Sequence, residues 1–166
     1  MIILDLFSEA QPEWQRTQSY YGKRWVWCLL HDYGGNMGLE GNLVDLTVNP
    51  LYALANTPSM AGVGLAMEGQ EGNEIVYNLL LDQTWVNASI DSARYVVDWV
   101  ERRYGPNNTT PEILQAWELL RVSVYNNTYA TGVNSVVKSI FVTSPTFNSR
   151  TQNLTKSRNS NRRRRG

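Results

Sequence analysis

The stretch that decides the fold is Ala61–Tyr77, A-G-V-G-L-A-M-E-G-Q-E-G-N-E-I-V-Y. Its first six residues are an apolar run spaced by glycines, weak as an isolated strand but suited to a place where backbones or a ligand approach closely. A polar, acid-bearing loop, M-E-G, follows at once. From Asn73 to Leu81 the apolar residues Ile75, Val76, Leu79 and Leu80 share one helical face, with Glu71 and Glu74 near the positive N-terminal end. Strand, polar loop, helix is the unit of a parallel α/β architecture.

The unit's first half occurs twice upstream. Residues 2–7, I-I-L-D-L-F, read as a buried parallel strand and run into S-E-A-Q-P-E-W, a polar turn stopped by Pro12. Trp25–Leu30, W-V-W-C-L-L, runs into H-D-Y-G-G-N, with helix candidates at Leu39–Leu46 and Pro50–Asn56 before the third strand. After about Asn87 the pattern becomes helical throughout. Ile90, Ala93, Val97, Val100 and Tyr104 recur at helical spacing until Gly105-Pro106. Thr110 as N-cap and Pro111 at the first helical position open the next helix, whose apolar face is Ile113, Trp117, Leu120 and Val124. The expectation is an α/β unit over 1–88 and an all-helical unit over 89–145.

The 166 residues have 42% apolar content, enough for a core, and a formal net charge of zero that hides an asymmetry. Residues 146–166 carry seven basic side chains and no acid, leaving eight basic against fifteen acidic in residues 1–145. That final stretch has too few apolar residues to offset its ordering entropy and is expected to be disordered. Its terminal R-R-R-R suits polyanions, but an acidic body without a recognition motif argues against a nucleic-acid binder. No apolar run approaches the ~18–20 residues of a membrane span. The start carries no basic n-region, although N-x-[ST] sequons occur at Asn87, Asn107, Asn108, Asn126 and Asn153.

Cys28 is the single cysteine, which excludes an intrachain disulfide and a Cys-based metal cluster; its apolar setting predicts a buried structural thiol. His31 is the single histidine, and no G-x-S-x-G elbow accompanies it. Phosphate-binding glycine loops are absent from the sequence, and neither metal nor cofactor is implied. Six Trp and nine Tyr serve a core first, though aromatic faces also stack on sugar rings.

In parallel α/β barrels, catalytic groups lie just past the C-terminal ends of strands. That rule selects Glu9 and Glu13 after the first run, His31, Asp32 and Asn36 after the second, and Glu68 after the third. Glu68 is the most informative, because it follows a glycine-spaced strand directly and precedes Gly69. A glycosidase needs two carboxyl groups, about 5–5.5 Å apart for retention or about 6.5–9.5 Å for inversion. On pattern alone, a Glu so placed is more often a surface residue capping the following helix than a catalytic one.

The blocks I-L-D-L-F-S-E-x-Q-P-E-W (Ile3–Trp14), Y-G-K-R-W-V-W-C-L-L-H-D-Y-G-G-N-M-G-L (Tyr21–Leu39) and G-V-G-L-A-M-E-G-Q-E-G-N-E-I-V-Y (Gly62–Tyr77) closely resemble glycoside hydrolase family 89. R-R-Y-G at Arg102–Gly105 and A-W-x-L-L-x-x-S-V-Y-N at Ala116–Asn126 continue the likeness, which covers about residues 2–128. The resemblance implies the C-terminal part of a (β/α)8 barrel followed by an all-α segment. It implies a retaining exo-glycosidase that removes terminal α-linked N-acetylglucosamine from heparan sulfate, lysosomal or secreted. The family's nucleophile is the Glu of a P-E-G-like motif and carries over onto Glu68, with Met67 replacing the usual Pro. Trp27, His31 and Asn36 match the family's W-C-x-L-H-N-[FY]-G-G-N block and become substrate-binding candidates; Asp32 stands where Asn is usual.

By the same resemblance the general acid/base Glu belongs to an earlier barrel strand, upstream of Met1, and a complete barrel takes about 250 residues. The expectation is therefore a fragment that turns over little by itself. Its alternative is a non-catalytic glycan- or partner-binding product using Trp25, Trp27 and the G-G-N loop.

Overall fold

A computed structural model describes residues 1–31, 40–69 and 72–126. Asp32, Asn36 and the rest of the G-G-N loop, Glu71, and the basic stretch 146–166 lie outside the described residues.

Three parallel strands, β1 (Ile3–Asp5), β2 (Trp25–Leu29) and β3 (Met60–Leu65), form one sheet in sequence order. Ile3 pairs with Trp25 and Leu29 with Leu65, so all three strands exit along the same edge. Alternation divides the sheet's faces. Trp25, Trp27 and Leu29 belong to a continuous core with Leu43, Leu46 and Ala53 of α3 (Leu43–Asn56) and Ile75, Val76, Leu79 and Leu80 of α4 (Glu74–Gln83). Burying each of these leucine, isoleucine and valine side chains contributes roughly 1.5–3 kcal/mol. Val26, Cys28 and Gly64 share the opposite face: a Cβ on Gly64 would stand 3.4 Å from both the Cys28 sulfur and Val26 Cγ1. Burial pushes the free Cys28 thiol up to about 11, which suits an inert core residue.

Between β1 and β2 the turn stopped by Pro12 is more structured than its polarity suggests. It holds α1 (Glu13–Arg16) and a left-handed turn, α2 (Gln18–Tyr21). Trp14 of α1 stacks on Trp25 at 5.7 Å between centroids, and its backbone N–H donates to the buried Asp5 carboxylate at 3.0 Å.

The two helix candidates before β3 form one helix, α3, which corrects the expected break at Pro50. Asn42 caps its start by accepting from the Asp45 N–H at 3.1 Å. Pro50 sits inside the helix and is buried. A proline costs a helix one hydrogen bond and a steric clash, here opposed by the burial of Leu43, Leu46 and Ala53.

Among the described residues the helical segment comprises α5 (Ser92–Tyr104) and α6 (Pro111–Ser123); the rest of the expected helical unit, 127–145, lies outside them. Asp91 caps α5 by accepting from the N–H groups of Ala93 and Arg94, and Thr110 caps α6 through the N–H of Ile113. Trp99 and Trp117 join the two helices at 4.9 Å between ring centroids. Fully buried Gln83 shapes the crossover into this segment, donating to the Val86 and Ala88 carbonyls and accepting from the Ile90 N–H. Tyr95 ties α5 to α4 by donating to Asp82 Oδ2 at 2.7 Å. Among the described residues, no helix is long and apolar enough to cross a membrane.

Candidate active site

The edge where the strands exit is held together by backbone hydrogen bonds. Ser8 N–H donates to the Cys28 carbonyl at 3.0 Å, and Ala66 N–H donates to the Leu29 carbonyl at 2.8 Å. The first residues beyond each strand, Ser8 and Glu9, Leu30 and His31, Met67 and Glu68, therefore collect on one side of the sheet. Glu68 is exposed there, carried by the loop leaving β3.

Glu9 is turned inward. One oxygen, Oε1, accepts from the backbone N–H groups of Leu30 at 2.8 Å and His31 at 2.6 Å. The other, Oε2, is buried with no hydrogen-bond partner among the described residues. Burial pushes the carboxyl up to about 7, against the two backbone donors that favour its charged form. Glu9 thus fixes the loop after β2. Glu13, also selected by the strand-end rule, faces solvent at the start of α1 and pairs with Arg16.

His31 leaves β2 with φ +56°, a left-handed conformation uncommon outside glycine. The two N–H groups held by Glu9 stabilise that turn. Its Nε2 lies 2.9 Å from Asn73 Nδ2, and its ring meets Tyr77 edge-on at 5.5 Å. Burial pushes the imidazole down to about 4, so it is neutral at physiological pH. Gly72 permits this packing: a Cβ there would overlap the Tyr77 ring.

Trp27 requires a correction. At 1% exposed it belongs to the helix-covered face of the sheet, and Trp25 beside it is 0% exposed. Alternation along β2 directs both indoles into the core, leaving no free ring face for a sugar. Asn36 lies outside the described residues.

Three residues at this edge escaped the sequence reading as site residues: Asn73, Tyr77 and Tyr125. Asn73 looks like an ordinary N-cap of α4, yet its side chain makes no cap hydrogen bond. It bridges His31 and Tyr125 instead, the Tyr125 hydroxyl donating to Asn73 Oδ1 at 3.2 Å. Tyr125 continues the apolar face of α6, so pattern alone assigns it to the core.

A parallel βα sheet with an exposed carboxylate on its strand-exit edge has the arrangement in which α/β barrels place their functional groups. The family model for the alpha-N-acetylglucosaminidase (NAGLU) tim-barrel domain matches residues 1–87, and the model for the C-terminal domain of the same family matches residues 95–164. Human alpha-N-acetylglucosaminidase is 41% identical over 128 residues, which are 76% of this chain and 17% of the human protein. A family 89 glycoside hydrolase from Clostridium perfringens, solved with 2-acetamido-1,2-dideoxynojirmycin, superposes with a TM-score of 0.70 at 36% identity. It is covered to 14% of its length by 76% of this chain. A doubly Glu→Gln-substituted form of the Clostridium perfringens enzyme, solved with its substrate GlcNAc-α-1,4-galactose, gives 0.69 at 36% identity, with 75% and 14% of the two chains covered. This chain belongs to the alpha-N-acetylglucosaminidase family, glycoside hydrolase family 89.

Proposed function

We propose that the chain supplies the nucleophile of a retaining exo-glycosidase that removes terminal α-linked N-acetylglucosamine, and that the nucleophile is Glu68. The observation that carries this reading is the exposed Glu68 carboxylate on the strand-exit edge. In this reading β1–β3 are late strands of a (β/α)8 barrel, with a boundary near residue 88 to the helical unit. The second carboxyl group comes from a barrel strand outside these 166 residues. It protonates the leaving glycosidic oxygen while Glu68 attacks the anomeric carbon, then activates the water that releases the glycosyl-enzyme. His31 and Asn36 contact the sugar. The substrate is a glycan ending in N-acetylglucosamine, such as heparan sulfate, and the setting is lysosomal or secreted.

Support comes from the relatives: both Clostridium perfringens structures hold N-acetylglucosamine-like or N-acetylglucosamine-containing ligands. The test is Glu68→Ala in the enzyme that contains the complete barrel, assayed on an aryl α-N-acetylglucosaminide. Hydrolysis should be abolished and partly restored by azide, which enters from the opposite face to give the β-glycosyl azide. Hydrolysis near the parent's rate removes Glu68 from the role. Glycan binding without hydrolysis in the unsubstituted enzyme would favour the non-catalytic alternative, although the Trp25 and Trp27 rings it would use are buried.

A further inference from the structure

His31 stands at the meeting point of the sheet edge and the helical segment. Behind it the chain is pinned to the end of α6. Gly41 N–H donates to the Val124 carbonyl at 3.2 Å, Leu43 N–H donates to the Tyr125 carbonyl at 3.0 Å, and Asn42 and Asn126 form an antiparallel bridge. Tyr125 is 3% exposed, and its ring stacks on Trp117 at 6.3 Å between centroids. From that fixed position its hydroxyl reaches Asn73, and Asn73 reaches the imidazole.

The chemistry of these groups makes the chain directional. A primary amide oxygen only accepts and its nitrogen only donates, while a neutral imidazole has one nitrogen of each kind. The buried Tyr125 O–H needs an acceptor, and among the described residues that acceptor is Asn73 Oδ1. With Oδ1 so engaged, Nδ2 faces His31 Nε2, which must then present its lone pair. Reversing the amide would leave the Tyr125 O–H without that acceptor. Keeping the amide but moving the ring proton to Nε2 would set N–H against N–H.

We propose that Tyr125, acting through Asn73, holds His31 in the Nδ1–H tautomer, so that a residue following α6 is a positioning residue for the strand-exit edge. Leaving a buried donor unsatisfied disfavours either alternative on the order of ten- to hundredfold. The low basicity given by burial keeps the ring neutral, so its tautomer governs what it offers: a donor at Nδ1 and an occupied acceptor at Nε2. The assignment stands on this geometry alone; its bearing on catalysis rests on the glycosidase reading.

The single histidine makes the test direct. The 166-residue chain is labelled with 15N-histidine and its long-range 1H–15N spectrum recorded at neutral pH. The expected pattern is a protonated-type Nδ1 and a lone-pair-type Nε2. An Nε2–H ring would overturn the proposal. Tyr125→Phe keeps the ring stacked on Trp117 but removes the hydroxyl, and should lower the Nδ1–H to Nε2–H ratio about tenfold. An unchanged ratio would remove Tyr125 from the role. Asn73→Asp offers His31 only acceptors at neutral pH, so the proton should move to Nε2 and the ring should titrate above its parental value. A ring that stays Nδ1–H with parental titration would count against the relay, whether or not Tyr125→Phe folds. Hydrolysis is not read in any arm, so failure of the glycosidase reading leaves this result intact.

Discussion

Glu9→Gln should change the pH dependence of stability by an amount the structure sets. Burial raises the Glu9 carboxyl to about 7 from its ordinary 4.5. As pH rises through this window the unfolded chain gives up the proton first, so stability present below pH 4.5 is lost by about pH 7. The slope is about 1.4 kcal/mol per pH unit, and over this window the loss is about 3 kcal/mol. His31 acts with the opposite sign. Its folded value is about 4 against an ordinary 6.5, so stability is lost as pH falls from 6.5 toward 4. Between 4.5 and 6.5 the two contributions nearly cancel in the parent chain. Glutamine keeps an oxygen for the Leu30 and His31 N–H groups but cannot ionise. The stability of Glu9→Gln relative to the parent should therefore climb with pH from 4.5 and level off near 7, gaining about 3 kcal/mol. Titrating groups that do not interact with Glu9 drop out of this difference. Urea unfolding followed by tryptophan fluorescence, repeated from pH 4.5 to 7.5, measures it; a flat or falling difference curve refutes the reasoning.

Trp27→Ala should destabilise the chain by about 3–5 kcal/mol in the same unfolding assay, because it empties a core position. An exposed, glycan-stacking indole would instead lower binding and leave stability nearly unchanged. Gly72→Ala drives a methyl into the Tyr77 ring, so the His31 ring resonances should shift as their edge-on partner moves. Tyr95→Phe removes the hydroxyl bond to Asp82 and should cost about 1 kcal/mol in unfolding free energy, with hydrolysis by the complete enzyme unaffected.

The three strands were legible in the sequence because apolar runs that end in polar loops have few other solutions. The helices after Asn87 were legible in place and caps, Thr110 and Pro111 opening α6 where the pattern puts its start. The face of α5 was not: it buries Tyr95, Val96, Trp99 and Val100, while Ala93 and Tyr104 of the expected stripe are exposed. Pro50 misled because a proline's local cost is visible in sequence, whereas the core contacts holding α3 together across it are not. Trp27 misled in the opposite way. A tryptophan two residues before the strand exit lies close to the edge in sequence, but strand alternation turns it to the other face. The place of Glu68 just past β3 needed only the strand's end. Glu9 needed its partners, since nothing in S-E-A-Q-P shows that its carboxylate binds the N–H groups of residues 21 and 22 positions later.

That long-range carboxylate also explains how His31 can hold a left-handed backbone. For a non-glycine residue that conformation costs about 1–2 kcal/mol. Two hydrogen bonds to a carboxylate contribute roughly 1.5–3 kcal/mol each when the acceptor is charged. The same burial that shields those bonds raises the Glu9 carboxyl toward its neutral form, so the clamp and the titration are one property. Gln at this position should preserve the clamp, since the amide oxygen still accepts, whereas Ala should release it. In the complete enzyme, Glu9→Ala should therefore lower kcat/KM more than Glu9→Gln. The His31 resonances should leave their parental positions in Ala alone. Equal losses in the two variants would mean that the charge of Glu9, rather than its hold on the Leu30 and His31 backbone, is what the site uses.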